Sequence, residues 1–292
     1  MRDNQGVARF APPTPRSRRL GRELRRLREE RGMTLEQAGG AIGMSGARIS
    51  KVELGDIKIS AGGVIELLQA YDIDPSSEQA AAMIATARAM RTEIGWWQRL
   101  ESLPSKYATY IAYEAEAKSV EQWEPGLIPG LLQTRAYAQK VNSLGRETDT
   151  EAIEQRVQIR LRRQEVLTRK PRPLRLHALL SEAALRVRVG GDREILVEQL
   201  GHLLQLGRRS NITIQVLTFA AGEHLADAGG FSLLSFGGDD PPLGYIETLA
   251  GELFLEDPKD IARLGSVYDS LKALALSPAE TAIYIQAIME GN

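Results

Sequence analysis

A chain of 292 residues, 43% apolar and 26% charged, is long enough for two domains with separate cores, and its formal charge of −1 excludes a protein that is basic throughout. It has no cysteine and only three histidines (His177, His202 and His224, at no metal-binding spacing), which excludes disulfides, thiolate chemistry and a histidine-based zinc site, and no metal or cofactor is expected. No apolar run approaches the ~20 residues that span a bilayer, and no apolar stretch follows the early arginines, so a cytoplasmic protein without membrane contact is expected.

The charge is unevenly placed. Residues 1–55 carry 12 Lys and Arg against 6 Asp and Glu, whereas residues 56–80 carry 1 against 5. Whole-chain balance conceals this positive end. Residues 1–16, with Ala11-Pro12-Pro13-Thr14-Pro15 and no hydrophobic period, read as a disordered arm, either a solvated tail or a basic arm for nucleic acid. Leu20, Leu24 and Leu27 begin a helical period that Gly32 closes. Thr34 with Gln37 has the spacing of a capping box and opens a second short helix ending near Gly43. A third runs from Ser45 to about Leu54, closed by Gly55, and a fourth covers about Ala61–Tyr71. Residues 17–76 thus read as a compact all-α module.

Residues 77–103 read as a helical connector whose Trp96-Trp97 pair serves either as a core anchor or as a dimer contact. Helical pattern continues through Glu114–Trp123, breaks at Pro125 and Pro129, and resumes over Leu131–Ser143 and Glu151–Thr168. After Pro173 the texture changes. Leu174–Leu180, Ile212–Leu217, Phe231–Phe236, Tyr245–Leu249 and Glu252–Leu255 read as strands, with a helix over Asp192–Gly207. Gly237-Gly238-Asp239-Asp240 reads as a turn, and helices over Pro258–Ala275 and Pro278–Met289 close the chain. Residues 104–292 are therefore expected to form an α+β domain with an antiparallel sheet.

The stretch Thr34–Gly55 carries the most information. Apolar Leu35, Ala38, Ile42, Met44, Ile49 and Val52 set one face of each helix against the other, and Gly39 supplies the small residue where the axes cross. Gly46, Ala47, Arg48, Ser50 and Lys51 are left facing outward on the second helix. A short polar helix of this kind fits the ~12 Å wide major groove of DNA. Leu24, Leu27, Gly32-Met33-Thr34, Gly43-Met44-Ser45, Ile49-Ser50, Val52-Glu53 and Gly55 fall at positions where the segment resembles the Xre family of lambda-repressor-like helix-turn-helix regulators. The resemblance implies that Thr34 meets phosphate through its N–H and hydroxyl, and that Ser45 caps the recognition helix. It implies that Gly46, Ala47, Arg48 and Ser50 face base edges, Arg48 as a bidentate partner of guanine, and that Lys51 meets phosphate or base. Leu35 stands where the family often has Gln, so one polar contact is missing. Most of the arginine run from Arg16 to Arg31 reads as a solvated helix face.

Trp96-Trp97, Tyr107, Tyr110, Glu114–Ala117, Trp123–Thr134, Tyr137, Arg156, Arg160, Arg163-Gln164, Glu182–Leu185 and Leu255–Pro258 are similar to an uncharacterised domain that follows an Xre helix-turn-helix in many actinobacterial regulators, some of them antitoxin-like. Read physically, Arg156, Arg160 and Arg163 form a stripe beside apolar Ile153, Val157 and Leu161. They suit carboxylates, either internal ones at Glu114, Glu116 or Glu182, or one on a ligand. Trp123 with Pro125 and Pro129 shapes either a packed corner or a pocket wall. Glu114, Trp123, Gln133, Arg156, Arg160, Arg163 and Glu182 are the candidate ligand- or partner-binding residues. Glu114, Glu116, Glu182, His177, His224 and Asp227 are available for catalysis, but no nucleophile elbow, P-loop or dinucleotide fingerprint accompanies them, and no enzyme is expected. The expected function is a homodimeric, sequence-specific DNA-binding regulator of transcription whose second domain dimerises and senses a small-molecule effector or a small protein partner. The alternative is an antitoxin-like protein that holds a small partner and autoregulates.

Overall fold

The structure, a computed structural model, describes residues 14–92, 105–144, 149–226, 229–237, 240–248 and 251–291. Most of the expected disordered arm, the Trp96-Trp97 pair, Asp227 and the middle of the Gly237–Asp240 turn lie outside the described residues. The chain divides into two compact units, residues 1–116 and 117–292.

The first unit holds α1 (Pro15–Glu30), α2 (Leu35–Ala41), α3 (Gly46–Glu53), α4 (Ala61–Ala70), α5 (Glu78–Thr92) and α6 (Ser105–Glu116). Its core is the set that helical spacing selects: Leu20, Leu24 and Leu27 of α1, Ala38 of α2, Ile49 and Val52 of α3, and Val64, Leu67 and Leu68 of α4. Burying each large aliphatic side chain contributes roughly 1.5–3 kcal/mol. Residues 105–116, which the sequence assigns to the second domain, group with this unit, where the Arg18 guanidinium lies 5.4 Å from the Tyr113 ring centre.

Three of these helices end the same way. Gly32, Gly43 and Gly55 adopt φ of 65°, 68° and 77°. The next residue then donates back to the helix: Met33 N to Arg28 O at 3.1 Å, Met44 N to Gly39 O at 2.8 Å, and Asp56 N to Lys51 O at 2.9 Å. Each is a Schellman closure, which needs a left-handed residue and so favours glycine.

Two adjacent glycines of α2 have opposite surroundings. A Cβ on Gly39 would collide with the Met44 carbonyl oxygen, whereas a Cβ on Gly40 would meet nothing within 4 Å. Gly39→Ala is therefore expected to destabilise by about 1–3 kcal/mol, and Gly40→Ala to stabilise by up to ~1 kcal/mol through helix propensity. Urea denaturation of both variants checks this, and shifts of the same sign would refute the tight crossing.

The second unit contains β1 (Ser119–Glu124), α7 (Arg135–Ser143), α8 (Thr150–Arg163), β2 (Arg175–Ser181), α9 (Glu182–Arg186), α10 (Arg193–Leu206), β3 (Ile212–Leu217), β4 (Phe231–Ser235), β5 (Leu243–Thr248), β6 (Gly251–Leu255), α11 (Pro258–Leu274) and α12 (Pro278–Glu290). It is α+β, with one six-stranded sheet ordered β3-β2-β1-β4-β5-β6. Three pairings are antiparallel, as expected, but β1–β2 and β2–β3 are parallel. The helical segments α7–α8 and α9–α10 give those two connections the length that a parallel crossover needs.

The expected helix over Glu114–Trp123 is overturned. Helix α6 ends at Glu116, and residues 119–124 form β1, which pairs with strands on both sides. On one face of the sheet Trp123, Leu179, Leu217, Phe231 and Leu233 pack with Tyr268 and Leu271 of α11. The outer edge of β3 is satisfied by the chain leading into α12: Leu276 N donates to Val216 O at 2.9 Å, and Val216 N donates to Thr281 Oγ1 at 3.1 Å.

Candidate nucleic-acid interface

Helices α2 and α3 are joined by the Gly43 turn, and each starts on a side-chain cap. Thr34 Oγ1 accepts from Gln37 N at 3.2 Å, while Thr34 N donates to Gln37 Oε1 at 2.8 Å. This is the reciprocal capping box that the spacing predicts. It alters the role expected for Thr34, whose N–H is already taken by Gln37, so its hydroxyl proton is what remains for a phosphate. Ser45 Oγ accepts from Arg48 N at 3.3 Å and caps α3. Leu35 packs against the core from the first turn of α2.

The outward face of α3 is narrower than its sequence suggests. Ala47, Arg48 and Lys51 are exposed and Ser50 is half-buried. Gly46 is buried and not on that face: a Cβ there would lie 2.8 Å from Glu36 Oε1 and 3.1 Å from Glu36 N. It is a second close-approach glycine between α2 and α3. Gly21 of α1 is a third, and it is not among the residues singled out from the sequence. A Cβ there would lie 2.6 Å from the Val52 carbonyl oxygen and closer still to that of Glu53. Its sequence signal is a lone glycine between Leu20 and Leu24, on the apolar side of an otherwise strong helix.

Charge separates α3 from α1. Arg25 pairs with Glu29 at 2.8 Å, Arg26 with Glu23 at 2.6 Å and also with Glu30, and Arg31 with Asp72 at 3.5 Å. The Arg26 guanidinium holds the Glu23 carboxyl below its ordinary range, and that of Arg25 does the same for Glu29. Arg28 is not on a solvated face. It is buried and forks onto Glu53 of α3, Nε to Oε1 at 2.6 Å and Nη2 to Oε2 at 2.9 Å, with Nη1 on Met33 O at 2.8 Å. Hydrogen bonding to Glu53 raises its pKa despite burial. Arg48 and Lys51 have no ion-pair partner among the described residues, so α3 presents two uncompensated cations.

The seven candidates for a ligand or partner are divided between the two units. Glu114 is buried in α6 of the first unit, and Arg156 is exposed on α8. Trp123 is fully buried; its Nε1 donates to Ala226 O at 3.0 Å and its ring meets His224 edge-on at 5.3 Å, which makes it a packed corner. Glu182 is buried, with Oε1 on Arg186 Nε at 2.6 Å and Oε2 on Phe219 N at 2.9 Å. Burial pushes its pKa up, but these donors outweigh it and hold the carboxyl below its ordinary range.

Gln133, Arg160 and Arg163 do come together. Arg160 Nη1 donates to Gln133 Oε1 at 2.8 Å, and Gln133 Nε2 donates to Ile128 O at 2.7 Å. Arg163 Nη1 lies 3.5 Å from where Gly130 would carry a Cβ. The structure adds Gln164, which donates to Gln133 O at 2.8 Å, Tyr137, whose hydroxyl accepts from Ile128 N at 3.2 Å, and Glu124. Burial lifts the Glu124 carboxyl to about 7; the Gln122 hydrogen bond opposes this, Glu247 reinforces it, and Arg160 opposes it. A carboxyl raised on folding contributes its full stability below its unfolded pKa and loses it as pH rises through the folded value. Wild type is therefore expected to lose up to ~3 kcal/mol relative to Glu124→Gln between about pH 4.5 and 7. Denaturation curves at both pH values check this, and a pH-independent difference would refute it.

Among the described residues no cluster of three or more His, Asp or Glu side chains is placed to hold a metal, and no helix is long and apolar enough to cross a membrane. No curated protein matches the chain. A crystal structure of ComR from Streptococcus suis aligns with 68% of this chain and 71% of its own at 15% identity, with a TM-score of 0.19, too low to support an argument. A family model described as a helix-turn-helix domain matches residues 19–81, which include the α2-turn-α3 segment. A second, described as a domain of unknown function (DUF5753), matches residues 107–287, more than half of the chain, and the chain belongs to that family.

Proposed function

We propose that this protein is a sequence-specific DNA-binding regulator of transcription, of Xre type, with α3 as its recognition helix. The observation that carries the reading is the exposed face of α3. Arg48 and Lys51 stand there without carboxylate partners, while Arg25, Arg26, Arg28 and Arg31 are all neutralised within the unit. Thr34 contributes a hydroxyl to phosphate, and Ala47 and Ser50 offer small contacts to base edges. The protein acts as a homodimer on two half-sites related by two-fold symmetry, about one helical turn apart. The second unit dimerises and senses a small molecule or a small protein. It alters DNA affinity by binding one arrangement of the dimer better than another.

Selection from random duplex DNA with the full-length protein tests this at a stated salt concentration. A two-fold motif is expected, and no enrichment of any sequence would overturn the reading. Arg48→Ala is expected to relax preference at one position by about 1–3 kcal/mol, and Lys51→Ala to weaken all sequences evenly while reducing the salt slope by about 1. An Arg48→Ala protein with unchanged affinity and preference would displace α3 from the groove.

A further inference from the structure

The sheet face beneath α11 is apolar over most of its width, and the strand register shows where that ends. Trp123 stands opposite Leu179, and Leu179 opposite Gln215. One row nearer the strand starts, Glu121 stands opposite His177, and His177 opposite Thr213. Alternation puts all six on the same face. A cavity of about 380 Å³ lies over this polar row, and Arg175 and Lys272, both exposed, line it as well.

His177 is held more firmly than packing requires. Gln215 Nε2 donates to Leu276 O at 2.8 Å, which leaves Gln215 Oε1 to accept from His177 Nε2 at 2.8 Å. The proton is thereby assigned to Nε2. The Tyr268 ring meets the imidazole edge-on at 5.6 Å, and its hydroxyl donates to His177 O at 2.8 Å. Burial lowers the His177 pKa and keeps the ring neutral, so Nδ1 is an acceptor for which no described group supplies a donor. Glu121 has no hydrogen-bond or ion-pair partner among the described residues, and neither Arg175 nor Lys272 has one for its charge.

The cavity therefore offers two acceptors and two cations, none in a hydrogen bond or ion pair with a described residue; burial and the Asp269 carboxylate push the Glu121 pKa up, while Lys272 attracts Glu121 at longer range. A simple anion would meet Glu121, and a simple cation would meet Arg175 and Lys272. A ligand with both charges satisfies each group, and the volume suits a molecule of amino-acid to dipeptide size. We infer that this cavity binds a small zwitterion of the α-amino-acid class, its ammonium group on Glu121 and His177 Nδ1 and its carboxylate on Arg175 and Lys272. As an effector site it rests on the regulatory reading above; as a binding site it stands without it.

The test is thermal denaturation of the full-length protein, without DNA, against each of the proteinogenic L-amino acids. At least one is expected to raise the melting temperature saturably. Its N-acetyl and carboxamide derivatives are expected to fail. Glu121→Gln, a near-isosteric change, and Lys272→Met, at an exposed position, are each expected to weaken binding about tenfold or more. No saturable shift across the panel, equal response to the N-acetyl form, or unchanged binding by both variants would overturn the assignment. DNA affinity is then measured with and without the bound amino acid. No change there would remove the effector role and leave the site.

Discussion

Glu53→Ala is expected to destabilise the first unit by about 3–5 kcal/mol, because it strands the Arg28 guanidinium in a site built for a paired charge. Arg28 would keep its bond to Met33 O and the half-exposed Glu29 carboxylate at 3.6 Å, but lose both bonds of the fork. The loss comes from a buried charge left with only the more exposed Glu29, rather than from the pair's net worth. Replacing both partners, Arg28→Met with Glu53→Leu, is therefore expected to recover most of it. Hydrogen exchange at the α1 and α3 amides during denaturant titration reads this unit separately from the other. A single-variant loss below about 1 kcal/mol would place the pair in the class of surface ion pairs. The α3 helix would then owe little of its position to Glu53.

The second large effect belongs to the other unit. Trp123→Ala is expected to cost about 3–5 kcal/mol, through a cavity beneath α11 that the surrounding side chains fill only partly. Trp123 packs in one cluster with Leu179, Phe231, Leu233 and Tyr268, and its indole N–H satisfies the Ala226 carbonyl. Trp123→Phe keeps much of the packing and loses that bond, so a smaller loss, near 1 kcal/mol beyond the reduced volume, is expected. Exchange protection in β1, β2 and β4 is the measurement. If Trp123→Ala left it unchanged, the tryptophan would not be holding the sheet to α11.

The first unit was legible because local rules and global packing agree there. Leu20, Leu24 and Leu27 keep helical spacing, Thr34 and Ser45 are good caps, and Gly32, Gly43 and Gly55 stop helices where left-handed residues are needed. Contacts between distant residues were not legible. Glu53 and Arg28 are 25 positions apart, and nothing local marks either as buried. Gly46 looks like an outward residue on a helical wheel; only the approach of Glu36 turns it inward. In the second unit, β1 was hidden by its own polar side chains. Glu121 lines a cavity, and Gln122 and Glu124 hydrogen-bond each other, so only Val120 and Trp123 remain as buried apolar markers. The parallel pairings depend on which strands meet, a property of the crossovers rather than of any strand's sequence. Arg160 and Gln133 stand among the seven candidates read from the sequence, and they hydrogen-bond each other; Glu124 does not stand among them, because its environment comes from burial rather than from spacing.

The close approach at Gly21 has a consequence for how this scaffold can change. Helix α1 meets the end of α3 backbone to backbone, so the pitch of α3 is fixed by main-chain atoms that no exchange of surface side chains disturbs. Ala47, Arg48 and Lys51 lie outside that contact, on a face that supports nothing within the unit. The atoms that hold α3 in place are thus not those it exposes. On the function proposed above, single substitutions at Ala47, Arg48 or Lys51 are expected to alter DNA preference while leaving the fold of this unit intact.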